Sequence, residues 1–257
     1  MKIQLLHSTF DASGCSSGQQ HLPCFVFDDC IAIDAGSLAL AITPVQRAKI
    51  RNVVLTHSHL DHIATLPIFI DDLFGELKQP IRVHATSETI NALEEHIFNW
   101  QIFPRFSELQ NEYGPVLEYS PFTMRERFTV DHLELTAIPV SHQISTAGFI
   151  ISDQSKTIAF TSDTSKTNEF WNFLNNLKQL DALLIECALP DSKINLAIAA
   201  QHLTPQTLQT EILKLEHQCR ILVINLKPMY RAEITQELAL LEIPRLEIMH
   251  VGEIYQL

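Results

Sequence analysis

The sequence predicts an α/β protein built from two mixed sheets lying back to back with helices outside, an αββα sandwich. Three observations point there. The opening third is rich in short β-branched runs of hairpin spacing, strands and helices then alternate through the remainder, and no internal repeat or Gly/Ser linker interrupts the 257 residues. Two sheets each carrying a helical layer would bury all of these apolar runs. The length suits one large domain, so residues 1–257 are expected to form a single domain.

Taken in order, apolar and β-branched runs predict strands near 2–7, 24–28, 30–34, 51–56, 81–85, 132–140, 148–152, 157–161, 181–186, 219–225 and 245–251. Helical periodicity falls near 61–73, 86–98, 167–178, 204–217 and 231–242. Thr204-Pro205 reads as an N-cap followed by proline at the first helical position. Residues 99–128 are less regular and carry Trp100, Phe103, Phe106, Tyr113, Phe122 and Phe128. They read either as a lid or insertion beside a site or as a hydrophobic flap packed on the core.

Apolar residues make up 46% of the chain and charged residues 19%, enough for a full core. No apolar run approaches the length that spans a bilayer, and no secretory leader is legible, so a cytoplasmic protein without a membrane partner is expected. The five cysteines, Cys15, Cys24, Cys30, Cys187 and Cys219, are irregularly spaced and form no CxxC pair, as expected of free thiols in a reducing compartment. With 18 basic and 30 acidic residues the formal charge is −12, which disfavours long nucleic acids. A small phosphoester is not excluded, because a bound cation dominates the field of its own pocket.

The chemistry concentrates in one run. Val53-Val54-Leu55-Thr56 reads as a buried strand and is followed by His57-Ser58-His59-Leu60-Asp61-His62 and an apolar helix. On a loop leaving a strand these imidazoles and the carboxylate can converge, offering N and O donors to Zn²⁺, Mn²⁺ or Fe²⁺. Further ligands should come from later strand ends. His142 follows Pro139-Val140-Ser141, and Asp163 lies in Thr161-Ser162-Asp163-Thr164. Alone, His142 would be an ordinary core or surface histidine and Asp163 a helix cap. Their order after the His-rich run favours metal ligation. Gly14-Cys15-Ser16-Ser17-Gly18 reads as a turn or, less simply, a phosphate-facing loop.

These residues resemble the metallo-β-lactamase superfamily over nearly the whole chain. More narrowly they resemble the class II cyclic-nucleotide phosphodiesterases, through Gly148-Phe149-Ile150-Ile151, Leu184-Ile185-Glu186-Cys187, Gln201-His202-Leu203-Thr204-Pro205 and Leu226-Lys227-Pro228 as well. The resemblance implies two divalent ions, Zn²⁺ first among the candidates. His57, His59 and His142 would hold one, Asp61 and His62 the other, with Asp163 bridging. It also implies a metal-bound hydroxide as nucleophile and a Glu186–His202 pair that delivers a proton to the leaving group, so that Asp61, His202 and Glu186 form the catalytic set. The implied reaction is hydrolysis of a 3′,5′-cyclic nucleotide, cyclic AMP or cyclic GMP, or a similar small phosphoester. A lactonase, a thioesterase, a nuclease or a non-catalytic sensor would use the same plan, and room is left for a homodimer.

The pattern departs from the family at two places. Asn225 stands where a last metal-binding histidine is expected, so the second ion would be weakly held or absent; His250 is the other candidate for that place. The helix after the main motif, with Thr65-Leu66-Pro67-Ile68-Phe69-Ile70-Asp71, does not keep the ending of the phosphodiesterase signature.

Overall fold

The computed structural model describes residues 1–257. Their contacts group into two compact units, one of residues 1–123 with 251–256 and one of residues 124–250 with the last residue.

The first unit opens with β1 (Lys2–Leu5), β2 (Phe25–Phe27) and β3 (Ile31–Ile33), then α1 (Leu38–Ala41) and α2 (Pro44–Lys49). β4 (Asn52–Val54) leads into α3 (Leu60–Ile63) and α4 (Leu66–Leu73). There follow β5 (Ile81–Ala85), α5 (Ser87–His96), the small hairpin β6 (Gln110–Asn111) and β7 (Gly114–Pro115), and β8 (Leu117–Pro121). The second unit holds β9 (Arg127–Val130), β10 (Leu133–Pro139), β11 (Ala147–Ser152), β12 (Thr157–Phe160), α6 (Glu169–Asn175) and β13 (Ala182–Glu186). It continues with α7 (Ile194–Ala200), α8 (Pro205–Ile212), β14 (Arg220–Ile224), α9 (Arg231–Leu240) and β15 (Leu246–Ile248), before β16 (Ile254–Gln256) returns to the first unit.

Each unit contains one seven-stranded mixed sheet, ordered β16-β1-β2-β3-β4-β5-β8 in the first and β15-β14-β13-β12-β11-β10-β9 in the second. β3, β4, β5 and β8 run parallel, as do β12 to β15, while the remaining neighbours are antiparallel. The central parallel strands β4 and β13 are covered on both faces, and Val53, Val54, Leu183 and Leu184 are all fully buried, which is why they appear in sequence as unbroken hydrophobic runs. Helices cover one face of each sheet. Phe69, Ile70 and Leu73 of α4 pack with Val53 and Val83, and Phe170, Trp171 and Leu174 of α6 pack with Leu183 and Ile221.

The helix starts are locally encoded. Thr43 forms a capping box with Gln46 ahead of Pro44, and Thr204 does the same with Thr207 ahead of Pro205. The helix expected over 61–73 is two helices, α3 and α4, divided at Ala64-Thr65, because Pro67 near the start of α4 supplies no backbone N–H to continue the earlier turn. The two short helices α1 and α2, the helix α7 and the strands β8, β9 and β16 go beyond the elements expected from sequence.

Within the irregular segment, Phe106 is fully buried and its ring lies 5.7 Å from Phe98 and 5.8 Å from Phe103. It belongs to the first unit's core, as does partly buried Phe103. Trp100 is exposed and donates from its indole N–H to Glu108. The Gly14–Gly18 stretch is a turn organised by Asp11, whose Oδ1 accepts from the Ser13 and Cys15 amides.

Candidate metal centre and proton-transfer pair

In both units several of the chemistry-bearing residues lie at or just past the carboxyl ends of parallel strands, the usual place for ligand chemistry in α/β sheets, whereas His142 follows antiparallel β10 and His202 lies between α7 and α8. Asp34 follows β3, His57 lies three residues past β4, Asp163 three past β12, Glu186 ends β13 and Asn225 follows β14. Asp34, Ser162 and Asn225 hold φ near +58°. Left-handed backbone at three non-glycine positions is strain of the kind that gathers where side chains are aimed for function.

In the first unit, Asp34 organises the histidine run. The parallel register Ile33↔Val54 brings it beside Thr56. The Thr56 amide donates to Asp34 Oδ1 at 2.9 Å, and the Thr56 hydroxyl lies 3.0 Å from both carboxylate oxygens. That hydroxyl is 2.9 Å from His57 Nδ1, while His62 Nδ1 is 2.7 Å from Asp34 Oδ2. Asp34 is an acceptor only, so the protons follow in sequence: His57 Nδ1–H donates to Thr56, Thr56 donates to Asp34, and His62 Nδ1–H donates directly. Both rings are thereby assigned the tautomer whose lone pair sits on Nε2, the arrangement that outer carboxylates impose on metal-binding histidines. Burial raises the Asp34 pKa above the ordinary carboxylate value, and the bonds from His62 and Thr56 pull it back.

His57 Nε2 lies 3.1 Å from His59 Nδ1. Two nitrogens bound tetrahedrally to one ion at about 2.0–2.1 Å stand roughly 3.3–3.4 Å apart. The pair therefore suits one shared cation with little movement. His57 and His62 are buried, with ring centroids 4.1 Å apart. Asp61 lies in the first turn of α3, and its carbonyl oxygen presses on Gly36.

In the second unit, His142 Nδ1 faces the Gln201 carbonyl at 3.2 Å, which places its proton there and its lone pair on Nε2. Glu186 is fully buried and saturated with donors. Its Oε1 accepts from the Thr164 amide and from His202 Nδ1, both at 2.8 Å, and its Oε2 from the Ala188 amide at 3.0 Å and the Leu203 amide at 3.4 Å. Such a carboxylate cannot turn, so it fixes the His202 ring and directs Nε2 outward. Burial raises the Glu186 pKa. Burial would lower that of His202, but the adjacent Glu186 carboxylate and then Asp163 outweigh it and hold the imidazole above its ordinary value. Asp163, Glu186 and His202 have ligand atoms within 4.8 Å of one another. Asn225 Nδ2 donates to Asp163 Oδ1 at 2.6 Å. His250 is exposed beyond the end of β15.

Of the residues expected from sequence, His57, His59 and His62 are drawn together in the first unit, and Asp163, Glu186, His202 and Asn225 in the second, where the His142 ring lies 5.2 Å from His202. Asp34 and Thr56 were not singled out by sequence. Asp34 stands in sequence at the start of the stretch that resembles the family, in Asp34-Ala35-Gly36, but its role depends on strand register.

A mixed-sheet scaffold with clustered imidazoles and carboxylates at its strand ends is that of a metal-centred hydrolase fold. A family model described as "Beta-lactamase superfamily domain" matches residues 27–223, and the chain belongs to this superfamily, in its metallo-β-lactamase fold. The chain is 27% identical over 187 residues to a "Probable 3′,5′-cyclic-nucleotide phosphodiesterase" of Yersinia pestis, 66% of this chain and 52% of that protein, so it spans about half the length of that relative. Among solved structures it is similar to unliganded yeast PDE1, with a TM-score of 0.76, 17% identity and 98% of each chain covered. It is also similar to the metallo-β-lactamase fold protein YhfI of Bacillus subtilis, with a TM-score of 0.75, 17% identity and 99% of each chain covered. At these identities the structures establish the fold alone. No helix is long and apolar enough to cross a membrane.

Proposed function

We propose that the chain is a metal-dependent phosphodiesterase acting on 3′,5′-cyclic nucleotides or similarly small phosphoesters. The observation that carries this reading is the His202–Glu186 pair, with Nδ1 and Oε1 2.8 Å apart and the carboxylate held by three backbone amides. Opening a cyclic phosphodiester expels a sugar alkoxide, a poor leaving group until it is protonated. His202, raised in pKa by Glu186 and directed by it, is a donor suited to that task. The partial match to the Yersinia pestis relative supports the same substrate class.

The metal-binding residues in this reading are His57, His59, His142 and Asp163, with Asp61 and His62 available to a second ion and zinc the first candidate. The donor set fits such a group, because hydrogen bonds fix the lone pairs of His57, His62 and His142 on Nε2 and the His57 and His59 imidazoles are spaced for a shared ion. A bound divalent cation would supply Lewis-acid charge to the phosphoryl oxygens and acidify water. Asp34 and Thr56 then keep the imidazoles in register, Glu186 orients His202, and His202 gives its proton to the departing oxygen.

The test is a hydrolysis panel in metal-supplemented buffer containing cyclic AMP, cyclic GMP, bis(p-nitrophenyl) phosphate and a lactone. Turnover of a cyclic nucleotide above that of the lactone is expected. Turnover of the lactone alone would overturn the substrate class, and inactivity on all four would overturn the reading.

A further inference from the structure

Asn225 and Asp163 meet in a way that bears on how many cations the protein holds. Asn225 leaves β14 in the left-handed conformation, and its Nδ2 donates to Asp163 Oδ1 at 2.6 Å. Its own Oδ1 is shut away from solvent and meets no donor. An amide nitrogen presents hydrogens and no lone pair, so the atom facing Asp163 cannot ligate a cation. Reversing the amide would set its carbonyl oxygen against a carboxylate oxygen, acceptor to acceptor. Hydrogen bonds to an ionised carboxylate are roughly twice as strong as neutral ones, so the observed orientation resists reversal. An ionised carboxylate offers about four lone-pair sites over its two oxygens, and the Asn225 N–H takes one of those on Asp163 Oδ1, which makes that oxygen a poorer donor to a second cation and holds an amide where one would approach.

We propose that Asn225 is a hydrogen-bond clamp that confines Asp163 to one cation, so that the protein holds a single divalent ion tightly and a second one only weakly. The clamp rests on the reading of this site as a metal centre, and not on the identity of the substrate. It also accounts for the stranded Asn225 Oδ1. The amide is turned to serve Asp163, and the carbonyl is left with nothing but an added cation or donor to engage it.

The experiment needs no activity. Full-length protein purified without chelator is dialysed against metal-free buffer and analysed for metal, and Zn²⁺ and Mn²⁺ binding is followed by competition with a chromophoric chelator. One retained equivalent per chain is expected, with a second binding at least about tenfold more weakly. Asn225→His should retain two equivalents, because imidazole is the stronger donor, and histidine, like asparagine, is enriched in left-handed backbone. Two tightly held equivalents in the unaltered protein would overturn the clamp without recourse to any variant. One equivalent in both proteins would overturn it too, by showing that Asn225 does not govern the second ion. No metal in either would overturn the metal centre itself. The hydrolysis panel separates the readings: one ion and no turnover removes the phosphodiesterase and leaves the clamp, whereas two tight ions with turnover do the reverse.

Discussion

Asp34 holds His62 by a 2.7 Å bond from Nδ1 to Oδ2, with both side chains buried. The same carboxylate reaches His57 through the Thr56 hydroxyl, so one acid sets the proton positions of two imidazoles. Asp34→Asn keeps the shape but replaces one acceptor oxygen with a donor, which must then oppose either Thr56 or His62. Outer-shell changes of this kind typically cost about 10–100-fold in metal affinity. A loss of that size in chelator competition is expected, and unchanged affinity would remove Asp34 from the metal centre.

Gly36 shows how tightly the same loop is built. A Cβ there would lie 2.0 Å from the Asp61 carbonyl oxygen and 2.6 Å from that of Pro23, both backbone atoms. Gly36→Ala must displace the start of α3, which carries Asp61 and His62. Overpacking of this sort costs about 1–3 kcal/mol or more. A Tm lowered by several degrees together with reduced metal content is expected, and a variant that keeps both would show that the loop yields without moving its ligands.

His202→Ala should retain its metal and lose rate in proportion to how much the leaving group needs a proton. A positioned acid typically contributes about 10²–10⁴-fold. The loss should be of that order on a cyclic nucleotide and distinctly smaller on bis(p-nitrophenyl) phosphate, whose phenolate leaves unaided. Glu186→Gln should show a weaker form of the same pattern. Equal losses on the two substrates, or metal loss from the His202 variant, would make His202 a ligand instead of an acid.

His84 supplies a pH dependence of stability remote from turnover. It is almost fully buried in β5, with Nε2 2.9 Å from Asn52 Oδ1, and burial followed by repulsion from Arg82 lowers its pKa to about 4. The folded state therefore resists protonation that the unfolded chain accepts near its ordinary 6.5. Stability from this group is complete above 6.5 and declines as pH falls toward 4, by up to about 3 kcal/mol. Denaturant midpoints should fall between pH 7 and pH 5, and less so in His84→Gln, which keeps a donor for Asn52. Parallel declines in both proteins would assign the effect elsewhere.

The His57–His62 run was legible because an unbroken apolar strand delivers it, and Glu186 and His202 because they sit in motifs that the family resemblance picks out. Asp34 was not, because its partners lie more than twenty residues away and meet it only through the parallel pairing of β3 and β4. The helices α1 and α7 escaped notice because runs such as Leu38-Ala39-Leu40-Ala41 and Ile194 to Ala200 are too short for a helical period to be told from a strand's. Phe106 illustrates the converse. Its aromatic neighbours suggested a ligand surface as readily as a core, and burial decides for the core.

β16 pairs antiparallel with β1, placing Gln256 opposite Lys2 at one edge of the first sheet. All the other strands of that sheet lie before residue 122, and the whole second sheet is encoded in between. On the ribosome, which releases residues in order, β1 must wait with one edge bare while more than a hundred further residues are made. Its edge thus stays unpaired through the synthesis of the whole second sheet, until β16 emerges to cover it.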